Sequence, residues 1–353
     1  MDANVWLPAI TAVLAIAFFI LLLDQWRERR RAYQAVWALG ILFFGIAVAC
    51  EAIAAAAGWN EPIYLLWYLN GAVWTAGWLG LGNAFLLGRT RFGFAFALCL
   101  FFAGLFTFLT ARAEPEVYEA AATTAMLYFL VALVLALAVS VETYFQNWRW
   151  PWMAFVGVAG ATVLSIVLVA MADLPAPGYS LDPETGVPTA ELLPPELRLL
   201  TPFMNVTGAF ALILGAMFSA YVFMPKKRVL VYNIDPNQPG DQFLFNLLIA
   251  PVAIVVNFLA SLPGALAALF TGRINSRVPA TLLIAIGAFI PAVTDSLNRF
   301  GSTEWFQLGK FFSVLFLLAG FLVSTEIISE IRVPFTHKVL WARRTEAREA
   351  TKS

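Results

Sequence analysis

Histidine and cysteine are almost missing from this chain, and charge is scarce. One histidine, His337, and two cysteines, Cys50 and Cys99, occur in 353 residues, of which 12% are charged. A lone imidazole in a polar tail, and two thiols each inside an apolar run, cannot assemble a zinc ligand set or a disulfide framework. No metal and no cofactor is expected. Enzyme signatures are missing too: there is no H-E-x-x-H, no G-x-S-x-G, no phosphate-binding loop and no aspartate-rich diphosphate motif. The chain therefore reads as non-enzymatic. Its formal net charge is zero, which leaves no electrostatic footprint for nucleic acid.

What the chain has in abundance is apolar residues, 61% of the total, with a mean hydropathy of +0.79. They fall in long runs separated by short charged clusters, and a run of about 20 residues is what a helix needs to cross the hydrocarbon core. The alternating pattern of a membrane barrel is absent. The expected fold is all-α: a polytopic transmembrane bundle with spans at 5–23, 34–57, 62–87, 93–112, 119–145, 151–172, 199–224, 279–297 and 304–329. Residues 1–330 then form one transmembrane domain, and 331–353 a polar tail. The first run follows the acidic Asp2 and precedes Arg27, Arg29, Arg30 and Arg31. That order is reversed relative to a cleavable signal, so a retained span with its N-terminus outside is expected.

Residues 242–272 are too long for a simple span and carry Pro251, Pro263 and Gly264. Proline removes a backbone donor and clashes with the preceding turn, so a re-entrant or interfacial broken helix is expected. Charge bias supports this, because basic residues concentrate in cytoplasmic loops. Without a net crossing at 242–272, eighteen basic residues lie inside and only Arg112, Arg198 and Arg299 outside. The chain then sits in the plasma (inner) membrane with its C-terminus cytoplasmic. A loose repeat agrees: Gly58, Glu61, Leu65, Ala76, Gly77 and Leu79 recur as Gly301, Glu304, Leu308, Ala319, Gly320 and Leu322. Duplicated hairpins 34–87 and 279–329 would share one orientation. The outer loop 173–198, with six prolines, reads as a connection ordered by contact, with a lid as the alternative.

Ionisable groups inside a membrane are costly, so each one calls for a partner or a task. Glu51 and Lys310 each lie about six residues from the outer end of their helix, roughly 9 Å deep on the same side. Asn70 lies slightly deeper, Asn205 and Thr207 at comparable depth, and Asp295 near the mouth. These place an outward-facing polar pocket around a Glu51–Lys310 pair; the alternative is a lysine that snorkels to the headgroups and a glutamate that meets an amide or water. Trp67, Trp74 and Trp78 form a stripe with Tyr64 and Asn70, suited either to a partly apolar ligand or to packing. Asn257, near the expected turn of 242–272, completes the ligand-binding candidates Glu51, Asn70, Trp74, Lys310 and Asn257. The expected partners are the lipid bilayer, a small-molecule ligand to be bound or transported, and a membrane-protein partner if the chain is instead a sensor or accessory subunit.

Trp37-Ala-Leu-Gly40 after a basic cluster, then Leu66-Trp67-Tyr68-Leu69, Trp78-Leu79 and Arg89, resemble the first hairpin of the multi-pass sensor region of bacterial histidine kinases. The resemblance covers residues 34–91 and implies sensing of a small molecule or of membrane state. The chain departs from that pattern in having more spans and only 23 residues after Glu330, so signalling would run through a partner.

Overall fold

The computed structural model describes residues 3–342, apart from 184, 185, 187, 234, 236, 238, 272–274, 276, 300–302, 325–329, 335 and 337. His337 and the end of the tail therefore lie outside the described residues, and of Asp295 only the helical backbone is described.

The apolar runs become helices: α1 (Ala3–Arg29), α2 (Ala32–Ala57), α3 (Glu61–Trp67), a π-helical turn (Tyr68–Trp74), α4 (Thr75–Leu86), α5 (Phe92–Ala113), α6 (Pro115–Tyr118), α7 (Ala122–Tyr144), α8 (Trp150–Ala170), α9 (Pro195–Phe223), α10 (Gly240–Phe270), α11 (Arg277–Arg299) and α12 (Thr303–Val323). A two-stranded antiparallel hairpin, β1 (Glu330–Arg332) with β2 (Val339–Ala342), starts the tail. Eight of the described helices, α10 among them, are long and apolar enough to cross a membrane. The result is an all-α, multi-pass membrane bundle.

Two hairpins, α1–α2 and α11–α12, pack on each other around Phe18, Trp37 and Phe321, with the Trp37 and Phe321 rings 4.8 Å apart. A second core joins α4, α5, α7, α8 and α9. Close backbone approach carries this packing: a Cβ on Gly80 would stand 2.5 Å from the Gly208 carbonyl oxygen, so only glycine at both positions lets α4 and α9 touch. The motif residues that resemble a sensor hairpin do packing work. Gly40 lies under Leu79, and Trp37 lies against Gly82 and donates its indole N–H to the Leu79 carbonyl at 3.1 Å.

The turns alternate between two ends of the bundle. One, the basic end, collects Arg27 and Arg29, Arg91, Arg149 and Lys226–Arg228. The other, the far end, carries Gly58, whose φ of +86° closes the α2–α3 turn, and the loop 173–198. Of that loop, the Thr189 carbonyl accepts a hydrogen bond from the Tyr64 hydroxyl, and Leu193 is buried.

The break expected at 242–272 is not there: α10 is one continuous helix with Pro251 and Pro263 inside it. At its start Phe243 packs against Phe94, at the beginning of α5, and Tyr144, the last residue of α7 (ring centroids 5.8 and 5.3 Å). Its middle holds the segment 227–230 that follows α9, and Ala265 clusters with Tyr221, Met224 and Val278. Arg277, opening α11, lies 4.4 Å from the ring of Phe223, the last residue of α9. Every one of these contacts is at the basic end, so α10, roughly 46 Å long, runs along that end. Each proline leaves one carbonyl of the preceding turn, on Leu247 and Leu259, without its helical donor. Among the described residues, nine helical runs join the two ends: α1, α2, the composite 61–86, α5, α7, α8, α9, α11 and α12.

Candidate functional site

Glu51 lies on α2 near the far end, facing α3 and α12. Lys310 and Gln307, three residues apart, project from one face of α12, and Trp67 ends α3. These elements converge on one carboxylate. Its Oε1 accepts the Trp67 indole N–H at 2.8 Å. Its Oε2 accepts the Gln307 side-chain amide at 3.1 Å and forms an ion pair with the Lys310 ammonium. The Lys310 and Glu51 side chains are 8% and 10% exposed, and the ammonium also lies 4.1 Å from the centre of the Phe306 ring. Burial of both charges makes each dependent on the other, since a charge left alone at this depth costs several kcal/mol. Trp59 packs edge-on against Trp67 at 5.8 Å, and Tyr64 stacks on Trp67 at 6.1 Å, so aromatic rings surround the donor to the carboxylate.

Asn70 lies one turn beyond Trp67, within the π-helical turn. Its side-chain N–H donates to the Leu66 carbonyl at 2.8 Å, and its own carbonyl accepts from the Thr75 hydroxyl at 2.7 Å. Side-chain interception of helix carbonyls, with Gly71 next in sequence, gives a local account of the widened turn. Buried oxygens on Asn70 (Oδ1), Gln307 (Oε1) and Thr207 (Oγ1) have no hydrogen-bond partner among the described residues. Each is an acceptor in want of a donor, an arrangement that invites a ligand hydroxyl, amine or water.

The structure thus brings Glu51 and Lys310 together, and places Asn70 three residues on from Trp67, in the π-helical turn that follows α3. Trp74 points elsewhere: its indole donates to Ser165 of α8 at 2.8 Å, as Trp78 donates to Thr162 at 3.0 Å, so these two residues knit the π-helical turn and α4 to α8. Asn257 sits at the opposite, basic end. Its side chain accepts from the backbone N–H groups of Val229 and Leu230 at 2.7 and 2.9 Å and donates to the Leu230 carbonyl at 2.7 Å. It acts there as a clasp on the backbone of the segment after α9. Gln307 and Trp67 were missing as donors to the carboxylate. Gln307 could have been found from its i−3 spacing to Lys310.

Comparison with protein families, curated proteins and solved structures gives no match for this chain. The functional reading therefore rests on the site's own chemistry.

Proposed function

We propose that this multi-pass membrane protein is non-enzymatic and binds or transports a small, partly apolar molecule at the Glu51–Lys310 cluster. The observation that carries the reading is a buried carboxylate held by three donors from two helices, with a buried acceptor on Gln307 that has no donor, and a second on Asn70 three residues on from Trp67. A buried ion pair is a poor way to stabilise a bundle, since apolar residues of similar volume do as well or better. Its retention in a membrane helix is better explained by a ligand or conduction role. The free acceptors favour a molecule with hydroxyl or amine donors, and the aromatic rings of Trp59, Tyr64 and Trp67 favour one with an apolar body. With the basic end in the cytoplasm, as the charge bias favours, the cluster lies toward the outer face.

The test is to purify the chain and its Glu51→Gln variant in mild detergent and identify small molecules retained by each. A compound held by the parent and lost from an equally monodisperse variant supports the reading; identical retained sets sink it. A second reading, an accessory or sensor subunit, is favoured by the exposed apolar stripe Leu244, Leu248, Val252, Val255, Leu259 and Leu266 along α10, and by the resemblance of residues 34–91 to kinase sensor hairpins. Stoichiometric co-purification of another membrane protein would favour it.

A further inference from the structure

A cavity of about 230 Å³ opens at the basic end, away from the cluster around Glu51. One wall is the last turns of α9, with Phe218 and Val222; the other is the segment after α9, with Lys226, Arg228, Tyr232 and Asn233. This second wall is held in place. Asn257 grips the backbone of Val229 and Leu230, and the Ser261 hydroxyl accepts the Lys227 N–H at 2.9 Å. Lys226 and Arg228 line the cavity, and Lys227 between them does not.

The charge inside is unbalanced. Lys226 lies 5.7 Å from the centre of the Tyr221 ring, and neither it nor Arg228 meets a carboxylate among the described residues. The acid nearest in the sequence, Asp235, is 3.7 Å from Arg91 instead. Two cations, two tyrosines and an asparagine amide around a small volume offer donors to a phosphate oxyanion. The apolar wall continues upward. Val222, Phe218, Leu214 and Phe210 form an i, i+4 row climbing α9 from the cavity, exposed at Val222 and Phe210.

We propose that this cavity binds the phosphate of an anionic phospholipid from the leaflet at the basic end, with an acyl chain along the Phe210–Val222 row. Phosphate is the chemistry that the cations recognise, and the apolar row points to a lipid as its source. Basic residues next to a membrane contribute about 1 kcal/mol each to anionic-lipid binding, so losing two should weaken it about thirtyfold.

The full chain in detergent is titrated with dihexanoyl-phosphatidylglycerol, with dihexanoyl-phosphatidylcholine and with sodium phosphate, following the melting temperature. The expected result is a rise with the glycerol lipid alone, shifted about thirtyfold in concentration by Lys226→Gln with Arg228→Gln and unchanged by Lys227→Gln. Should the double glutamine variant fail to fold, Lys226→Arg with Arg228→Lys must keep the effect and Arg228→Gln alone must weaken it. Equal responses to both lipids, or equal losses from Lys227→Gln and from the cavity variants, would overturn the site. A response to sodium phosphate that matches the glycerol lipid would overturn the lipid as its source.

Discussion

A carboxylate and an ammonium buried within one another's reach behave as a single unit, and removing either leaves the other stranded. Breaking such a pair costs about 3–5 kcal/mol, whereas replacing both partners with apolar groups costs far less. Glu51→Gln and Lys310→Met should therefore each destabilise the bundle strongly, with a double variant no worse than either single one. A thermodynamic cycle from detergent unfolding midpoints reads this coupling, and simple additivity would refute it. The pair itself was legible in the sequence: counting residues from two helix ends puts both charges at one depth. Asn257 was not legible in the same way. Its partners are backbone groups 27 and 28 residues upstream, and a backbone has no side-chain signature to read. The stripe with Trp74 suited either a ligand or packing; its indole meets Ser165 of α8, a neighbour that a stripe on one helix cannot name.

Single helices reveal where local rules yield to surroundings. Two prolines and a glycine predict a break in a lipid-buried segment; α10 instead stays one regular helix at the end of the bundle. Gly264 makes this testable. An added Cβ there would meet no heavy atom within 4 Å, and glycine inside a helix costs about 0.5–1 kcal/mol relative to alanine. Gly264→Ala should thus raise the melting midpoint slightly. A clear fall would mean that the residue needs glycine's freedom, as a turn would. The π-helical turn at Tyr68–Trp74 is the converse case, an irregularity that hydropathy passes over because the residues are as apolar as their neighbours. Only the hydrogen bonds of Asn70 and Thr75 mark it.

For the whole molecule, the decisive matter is how many times the chain passes between its two ends. Hydropathy finds the segments but cannot tell one that crosses from one that lies flat; the distribution of basic residues could, and it favours the arrangement seen. With Cys50→Ala and Cys99→Ala as background, cysteines at the exposed positions Gln242 and Thr271, near the two ends of α10, should react with an impermeant maleimide from the same side of sealed vesicles. A cysteine replacing Trp59 should react only from the other. Labelling of Gln242→Cys and Thr271→Cys from opposite sides would overturn the arrangement.

The parity of those passages has a consequence for the ion pair. Were α10 to cross, α11 and α12 would both run the other way, and Lys310 would stand near the basic end, out of reach of Glu51. A chain threaded wrongly during biosynthesis would then hold an ammonium without its carboxylate on one helix, and on another a carboxylate left with the Trp67 indole alone. The contact between residues 51 and 310 thus works as a checksum on insertion, satisfied only when the strip of chain between them has been counted correctly.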